Sequence, residues 1–188
     1  MKVKYSDLKN KRIFITGGGS GIGASIVEHF CEQGSEVYFV DIDLKETKKL
    51  LNKIKKNKFR TPTFSECNLL EINKLEKTIK KIIAKKGPIH ALINNAANDD
   101  RHTTDEVDEK YWENRIAINL KHYFFAAKAV VKSMKKMKAG SIVNLSSVSW
   151  MLGEGDKVVY ETAKSAVVGL TRSFAQEYGK YNIRTNSV

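Results

Sequence analysis

The sequence predicts an α/β protein built on a doubly wound parallel sheet in three layers, α/β/α. Three observations carry this. Short β-branched and apolar runs alternate along the chain with segments of helical period, the pattern of parallel strands joined by crossover helices. The strand runs are apolar at consecutive positions, as expected where both sheet faces are covered. A glycine-rich segment, Thr16-Gly17-Gly18-Gly19-Ser20-Gly21-Ile22-Gly23, stands between the first strand and the first helix.

The elements follow in order. Residues 11–16 read as a strand. Residues 21–33 read as a helix with Ile22, Ile26, Val27 and Phe30 on one face and Gly34 as its stop. A second strand covers 36–41 and a second helix 44–56, with Asp43 placed to cap it. The unit repeats as strand 61–68 and helix 71–85. A short strand at 91–94, a long helix at 108–137, a strand at 141–146, a helix at 160–179 and a strand at 183–188 complete the pattern. Pro62 and Pro88 interrupt no helical run. With no linker or repeat, residues 1–188 read as one domain. The longest irregular stretches, 96–107 and 147–159, both follow strands. Ligands of open parallel sheets bind beyond the carboxyl ends of the strands, so chemistry is expected on these two loops.

Composition excludes several classes. A chain of 188 residues, 41% hydrophobic and 29% charged, can bury a core and is not a disordered one. No apolar run reaches membrane-spanning length, and residues 1–12 lack the apolar stretch of a signal peptide. Cys31 and Cys67 make no disulfide framework; reduced, buried thiols and a cytoplasmic location are expected. The net charge is +12, from 33 basic residues of which 27 are Lys and six Arg. Nucleic-acid readers lean on Arg forks, so this Lys-rich surface reads as solvated, and neither a nucleic acid nor a membrane is expected as partner. It can still attract a dinucleotide at long range. His29, His90 and His122 show no metal-ligand spacing and no Cys–His cluster exists, so no metal is expected.

The glycine turn points to a nucleotide. Glycines at 17, 19, 21 and 23 permit a tight turn and close backbone approach to a pyrophosphate, while Ser20, Gly21 and Ile22 open a helix whose free N–H groups favour an anion. Asp41 ends the second strand, where a carboxylate can accept both hydroxyls of an adenosine ribose. It would repel a 2′-phosphate, and Ile42 and Asp43 supply no Arg to neutralise one. NAD is therefore expected over NADP.

The turn at 16–23, Asn94-Asn95-Ala96-Ala97, Asn119, Ser147, and Tyr160 with Lys164 together resemble the short-chain dehydrogenase/reductase family, over residues 8–188. The resemblance implies a Rossmann-type fold with a catalytic set of Asn119, Ser147, Tyr160 and Lys164. It also places Asn68, Leu69, Asn95 and Ala96, with Tyr160 and Lys164, against the cofactor. Tyr160 and Lys164 lie four apart on one helix face. An adjacent ammonium is expected to lower the phenol's pKa and let Tyr160 take a proton from a substrate hydroxyl. Ser147 can hold the substrate oxygen; period-two alternation puts its neighbour Ser146 on the opposite face. Asn119, in the family, holds a water that relays protons towards the Lys. Asn68 stands where the family often has Asp, and Ala97 where it has Gly.

A narrower likeness lies in Asn98-Asp99-Asp100-Arg101-His102, in 117–125 and in 144–150, which resemble bacterial aldose 1-dehydrogenases of the galactose and xylose type. These oxidise a pyranose at its anomeric carbon to a lactone. Asn98, Asp99, Arg101, His102, Ser147, Trp150 and Glu154 are then the candidate sugar-binding groups. A ketone or 3-oxoacyl reductase is the alternative within the family, and an impaired nucleotide-binding fragment the alternative outside it. In the family the strand at 183–188 continues into a helical lid and a last strand. The resemblance thus implies a C-terminally truncated chain of reduced activity and stability, whose full-length form is a homo-oligomer, dimer or tetramer.

Overall fold

The computed structural model describes residues 3–188. Six strands form one parallel sheet: β1 (Arg12–Thr16), β2 (Glu36–Asp41), β3 (Thr63–Glu66), β4 (Ala91–Asn94), β5 (Gly140–Asn144) and β6 (Ile183–Ser187), in the order β3-β2-β1-β4-β5-β6. The crossovers are α1 (Gly21–Glu32), α2 (Leu44–Lys56) and α3 (Ile72–Lys86), then α4 (Glu109–Ile116), α5 (His122–Met137), the short α6 (Ser149–Leu152) and α7 (Val158–Tyr178). The fold is the Rossmann-type doubly wound sheet.

Alternation within each strand divides the apolar residues between two cores. Phe14, Tyr38, Val40 and Leu92 pack with Ile79, Ala126, Val130 and Phe174 beneath α3, α5 and α7. Ile13, Ile15, Val37, Phe39 and Ile93 pack on Val27, Leu50 and Ile54 of α1 and α2. The second layer stops at β4: on that face Val143 is half-buried and Arg184 and Asn186 are exposed. Cys31 and Cys67 are buried free thiols.

Register aligns the strand ends. Thr16 pairs with both Val40 and Asn94, and Asn94 with Asn144. Asn94 Nδ2 donates to Asn144 Oδ1 at 2.9 Å and to the Tyr123 carbonyl at 3.3 Å, tying β4 to β5 and α5. The point where strand order reverses lies between β1 and β4, and the loops that follow both open on one rim.

Several sequence expectations are corrected. Ile22 is 68% exposed and does not join the face of Val27; the buried stripe of α1 is Gly23, Val27 and Cys31. The long helix at 108–137 is interrupted by a π-helical turn, Ala117–Lys121, closed by a bond from the His122 N–H to the Ala117 carbonyl. Such turns store an extra residue inside a helix, often at functional sites. β5 ends at Asn144, so Ser146 and Ser147 both lie beyond it and strand alternation does not separate them. The 147–159 loop holds the short helix α6. Asp43 caps α2 as expected, its carboxylate accepting from the Glu46 N–H at 2.9 Å. Among the described residues, no helix is long and apolar enough to cross a membrane.

Candidate active site

The glycine turn leaves β1 under tight control. Thr16 Oγ1 accepts from the N–H groups of Asn95 and Ala96 at 3.1 and 3.2 Å, and Asn95 Nδ2 donates to the Thr16 and Gly17 carbonyls at 3.1 and 2.8 Å. A Cβ on Gly23 would stand 1.8 Å from the Gly17 carbonyl oxygen, so the turn closes on α1 only with glycine there. Gly21 differs: its φ is +51° and a Cβ would meet nothing within 4 Å. That open space faces a helix N-terminus which no side chain caps. An uncapped N-terminus beside an empty glycine cradle fits a pyrophosphate.

Of the predicted cofactor residues, Gly17, Ser20 to Gly23, Asp41, Asn68, Leu69, Asn95 and Ala96 border one cleft of about 470 Å³. Gly19, Tyr160 and Lys164 do not; the Gly19 N–H donates to Asp41 Oδ2 at 2.7 Å. The other Asp41 oxygen accepts from Ile42 and Asp43 at 2.7 and 2.9 Å, which fixes the carboxylate at the cleft edge. Ile42 and Ile118 also border the cleft, and sequence reasoning missed both. Their signal was weak, because each is one apolar residue among many.

Beyond β5, the structure brings Ser147, Tyr160, Lys164 and Asp99 into one electrostatic group. Lys164 is 1% exposed, and its Nζ donates to the Leu145 carbonyl at 2.6 Å and to Tyr123 Oη at 3.0 Å. The ammonium lies 5.5 Å from the Tyr160 ring centroid. Burial pulls the Lys164 pKa down to about 8, against the opposing pull of Asp99. The expected lowering of the Tyr160 pKa is not found: burial raises it, Ser147 acts the other way, and Asp99 raises it further. Burial of the phenol outweighs the rest, and the Lys164 ammonium gives its hydrogen bonds to Tyr123 and Leu145. Tyr123, fully buried, was not anticipated; as one aromatic in an apolar helix it carries no signal in sequence. Ser146 is not a rival to Ser147: its hydroxyl donates to the Lys164 carbonyl at 2.8 Å. Ser147 Oγ lies 2.8 Å from Ser149 Oγ.

Asn119 sits fully buried in the π turn, and its amide takes both backbone groups of Asn98: Oδ1 accepts from the N–H at 2.8 Å and Nδ2 donates to the carbonyl at 2.9 Å. It therefore anchors the loop that carries Asp99. Trp150 is half-buried on α6. Glu154 pairs with Lys157 and, at 3.5 Å, with Arg101, whose Nη1 also holds Asp156 at 2.6 Å. Arg101 and Glu154 are thus engaged with each other's loops, and His102 is turned inward at 6% exposure. Among the described residues, no group of three His, Cys, Asp or Glu side chains could hold a metal ion.

The charge on Asp99 gives a test. Asp99→Asn removes a carboxylate that helps raise the Tyr160 phenol, so the rising, acidic limb of a pH–rate profile for hydroxyl oxidation is expected to move to lower pH. The exposed position of Asp99 means the shift shrinks with added salt. An unmoved limb at low salt would rule out the electrostatic link.

A cleft at the reversal of strand order, floored by a glycine turn, places the protein among the dinucleotide-dependent proteins of Rossmann type. Comparison narrows this. The family model described as short chain dehydrogenase matches residues 11–188, and the chain belongs to that family, whose members are NAD(P)-dependent oxidoreductases. It is 42% identical to a D-xylose 1-dehydrogenase of Caulobacter vibrioides, over 98% of this chain and 72% of that protein. It is 38% identical to a probable galactose dehydrogenase of Rhizobium meliloti, over 98% of this chain and 72% of that one. Among solved structures, the ligand-free aldohexose dehydrogenase of Thermoplasma acidophilum superposes with a TM-score of 0.85 at 30% identity, covering 97% of this chain and 67% of the other.

Proposed function

We propose that this chain, one dinucleotide-binding domain, oxidises the anomeric hydroxyl of an aldose to a lactone with NAD. The observation that carries this is the convergence of Ser147, Tyr160 and buried Lys164 beside the Asp99 loop, joined to the sugar dehydrogenases among its relatives.

The residues that would hold the dinucleotide are the uncapped turn at Ser20 to Ile22 for the phosphates, Asp41 for the ribose hydroxyls, and Asn68, Leu69, Asn95 and Ala96 along the cleft. A nicotinamide held there would supply the hydride acceptor. The chain's own residues manage the proton. Ser147 Oγ donates to the substrate oxygen and orients it. Tyr160 Oη takes the anomeric hydroxyl proton. Lys164, its pKa brought to about 8 by burial, holds a proton that it can give up near neutral pH, with Tyr123 Oη and the Leu145 carbonyl fixing its position. Because Tyr160 must be unprotonated to act and burial raises its pKa, oxidation is expected to quicken as pH rises. Asn119 supports this set by anchoring Asn98 and, with a water as in the family, by linking Lys164 to solvent. Asp99 and Trp150 supply the sugar-facing groups. The assembled enzyme is a homo-oligomer in the cytoplasm.

The choice of NAD rests on Asp41. Asp41→Ala is expected to lower kcat/KM for NAD by roughly ten- to a hundredfold, the worth of hydrogen bonds to a charged acceptor, and to relieve repulsion of NADP. The NAD to NADP preference measured from NADH and NADPH absorbance must collapse; an unchanged ratio would remove Asp41 from cofactor selection. The function itself is tested by offering the purified chain galactose, xylose, arabinose and fucose with NAD. Lactone formation supports the reading. Turnover confined to 3-oxoacyl thioesters with NADPH overturns it.

A further inference from the structure

His102, expected among the sugar-binding groups, has both ring nitrogens committed to the protein. Nε2 lies 3.3 Å from the backbone nitrogen of Val159. Nδ1 lies 2.9 Å from the Asp100 carbonyl oxygen and 2.9 Å from Tyr111 Oη. A backbone N–H can only donate and a carbonyl can only accept. The two contacts therefore define one state of the ring, neutral, with its proton on Nδ1 and its lone pair at Nε2.

The place of Val159 gives this contact its meaning. It is the second residue of α7, and the first N–H groups of a helix have no carbonyl in a preceding turn to receive them. Lys157, which precedes the helix, provides no side-chain cap. His102 provides it instead, from a loop 57 positions earlier in the chain. The next residue after Val159 is Tyr160.

The rest of the loop makes the cap rigid. The His102 backbone N–H donates to the Asp156 carbonyl at 2.8 Å, and Arg101 Nη1 holds the Asp156 carboxylate. Tyr111 packs on the imidazole with centroids 5.0 Å apart, and the Arg115 guanidinium covers Tyr111 while pairing with Asp100 at 2.9 Å. Swinging the ring outward to meet a ligand would leave the Val159 N–H buried without a partner.

We propose that His102 is a positioning residue: its neutral imidazole caps α7 across the two loops, sets where Tyr160 stands beside Ser147, and touches no substrate. The proposal rests on the reading of Tyr160 as the proton acceptor. Two variants of the whole chain test it. His102→Gln keeps an acceptor oxygen within reach of the Val159 N–H; His102→Leu fills the space without one. Amide hydrogen exchange, which needs no turnover, is measured at Val159 and Tyr160. It is expected to quicken about tenfold in the Leu variant, with buried α5 amides unchanged, and to return towards the parent rate in the Gln variant. Unchanged exchange in the Leu variant overturns the cap, as does a Gln variant that exchanges as fast as Leu. In aldose oxidation, the Leu variant is expected to lose about ten- to a hundredfold in kcat at constant aldose KM, because Tyr160 is misplaced rather than the sugar unbound. A raised KM with intact kcat, or faster exchange without loss of kcat, overturns the positioning role. If the parent chain oxidises no aldose, the sugar reading fails, and the exchange data still decide the cap.

Discussion

Tyr160→Phe is expected to lower aldose oxidation by about a hundred- to ten-thousandfold, the usual worth of a positioned acid–base group. The change deletes one oxygen and keeps the ring. Lys164 retains its 2.6 Å bond to the Leu145 carbonyl and its 3.0 Å bond to Tyr123, neither of which involves Tyr160. No cavity opens, so thermal stability is expected to move little. Removing a half-buried hydroxyl whose ionisation burial already disfavours costs the folded state nothing comparable. The measurement is NADH absorbance with saturating aldose, beside a melting curve and a dinucleotide Kd for both proteins. Activity within a few-fold of the parent, with an unchanged melting curve, would take the proton-acceptor role from Tyr160.

The second large effect is expected at the glycine turn, where two glycines fail for different reasons. In Gly23→Ala the new methyl would stand 1.8 Å from the Gly17 carbonyl and 2.6 Å from Asn95 Nδ2. Both atoms belong to the hydrogen bond that closes the turn onto β4, so backbone must move. Overpacking of this kind costs about 1–3 kcal/mol, a fall in Tm of roughly 2–10 °C for a chain of this size, and dinucleotide binding is lost with the turn. Gly21→Ala meets no neighbour, and its cost in the fold is the left-handed backbone alone, about 1–2 kcal/mol. Its methyl would project into the space proposed for the phosphates. The Gly21 variant is therefore expected to lose affinity out of proportion to stability, and the Gly23 variant to lose both. Calorimetry with titrated NAD separates them. Equal affinity in Gly21→Ala and the parent would place the phosphates elsewhere.

Much of this was legible in residue order. The apolar runs Ile13 to Ile15, Val37 to Val40 and Leu92 to Ile93 announced strands buried on both faces, and the two core clusters take alternate members of each run. Asp43 before Leu44 announced a cap, and the glycine spacing announced the turn. These features are local: neighbours within a few positions determine them. Ser147 was separable from Ser146 only by family spacing, since β5 ends before either residue and the alternation argument does not reach them. The exposure of Ile22 was misjudged for a related reason. A helix that opens on a ligand turn exposes its first residues, whatever their hydrophobicity.

By itself, then, the sequence determined the fold, the order of its strands' connections and the family, because hydrophobic period, caps and glycines act over short distances. Tertiary structure alone decided how the site is wired. Lys164 meets Tyr123 from 41 positions away, Asn119 reaches Asn98 through a π turn that no residue type announces, and His102 caps a helix 57 positions downstream. Each of these contacts depends on where two distant loops come to rest above the sheet. So does the rise in the Tyr160 pKa, because the direction of a shift depends on how much water is excluded and where the neighbouring charges stand, and spacing along a helix records neither.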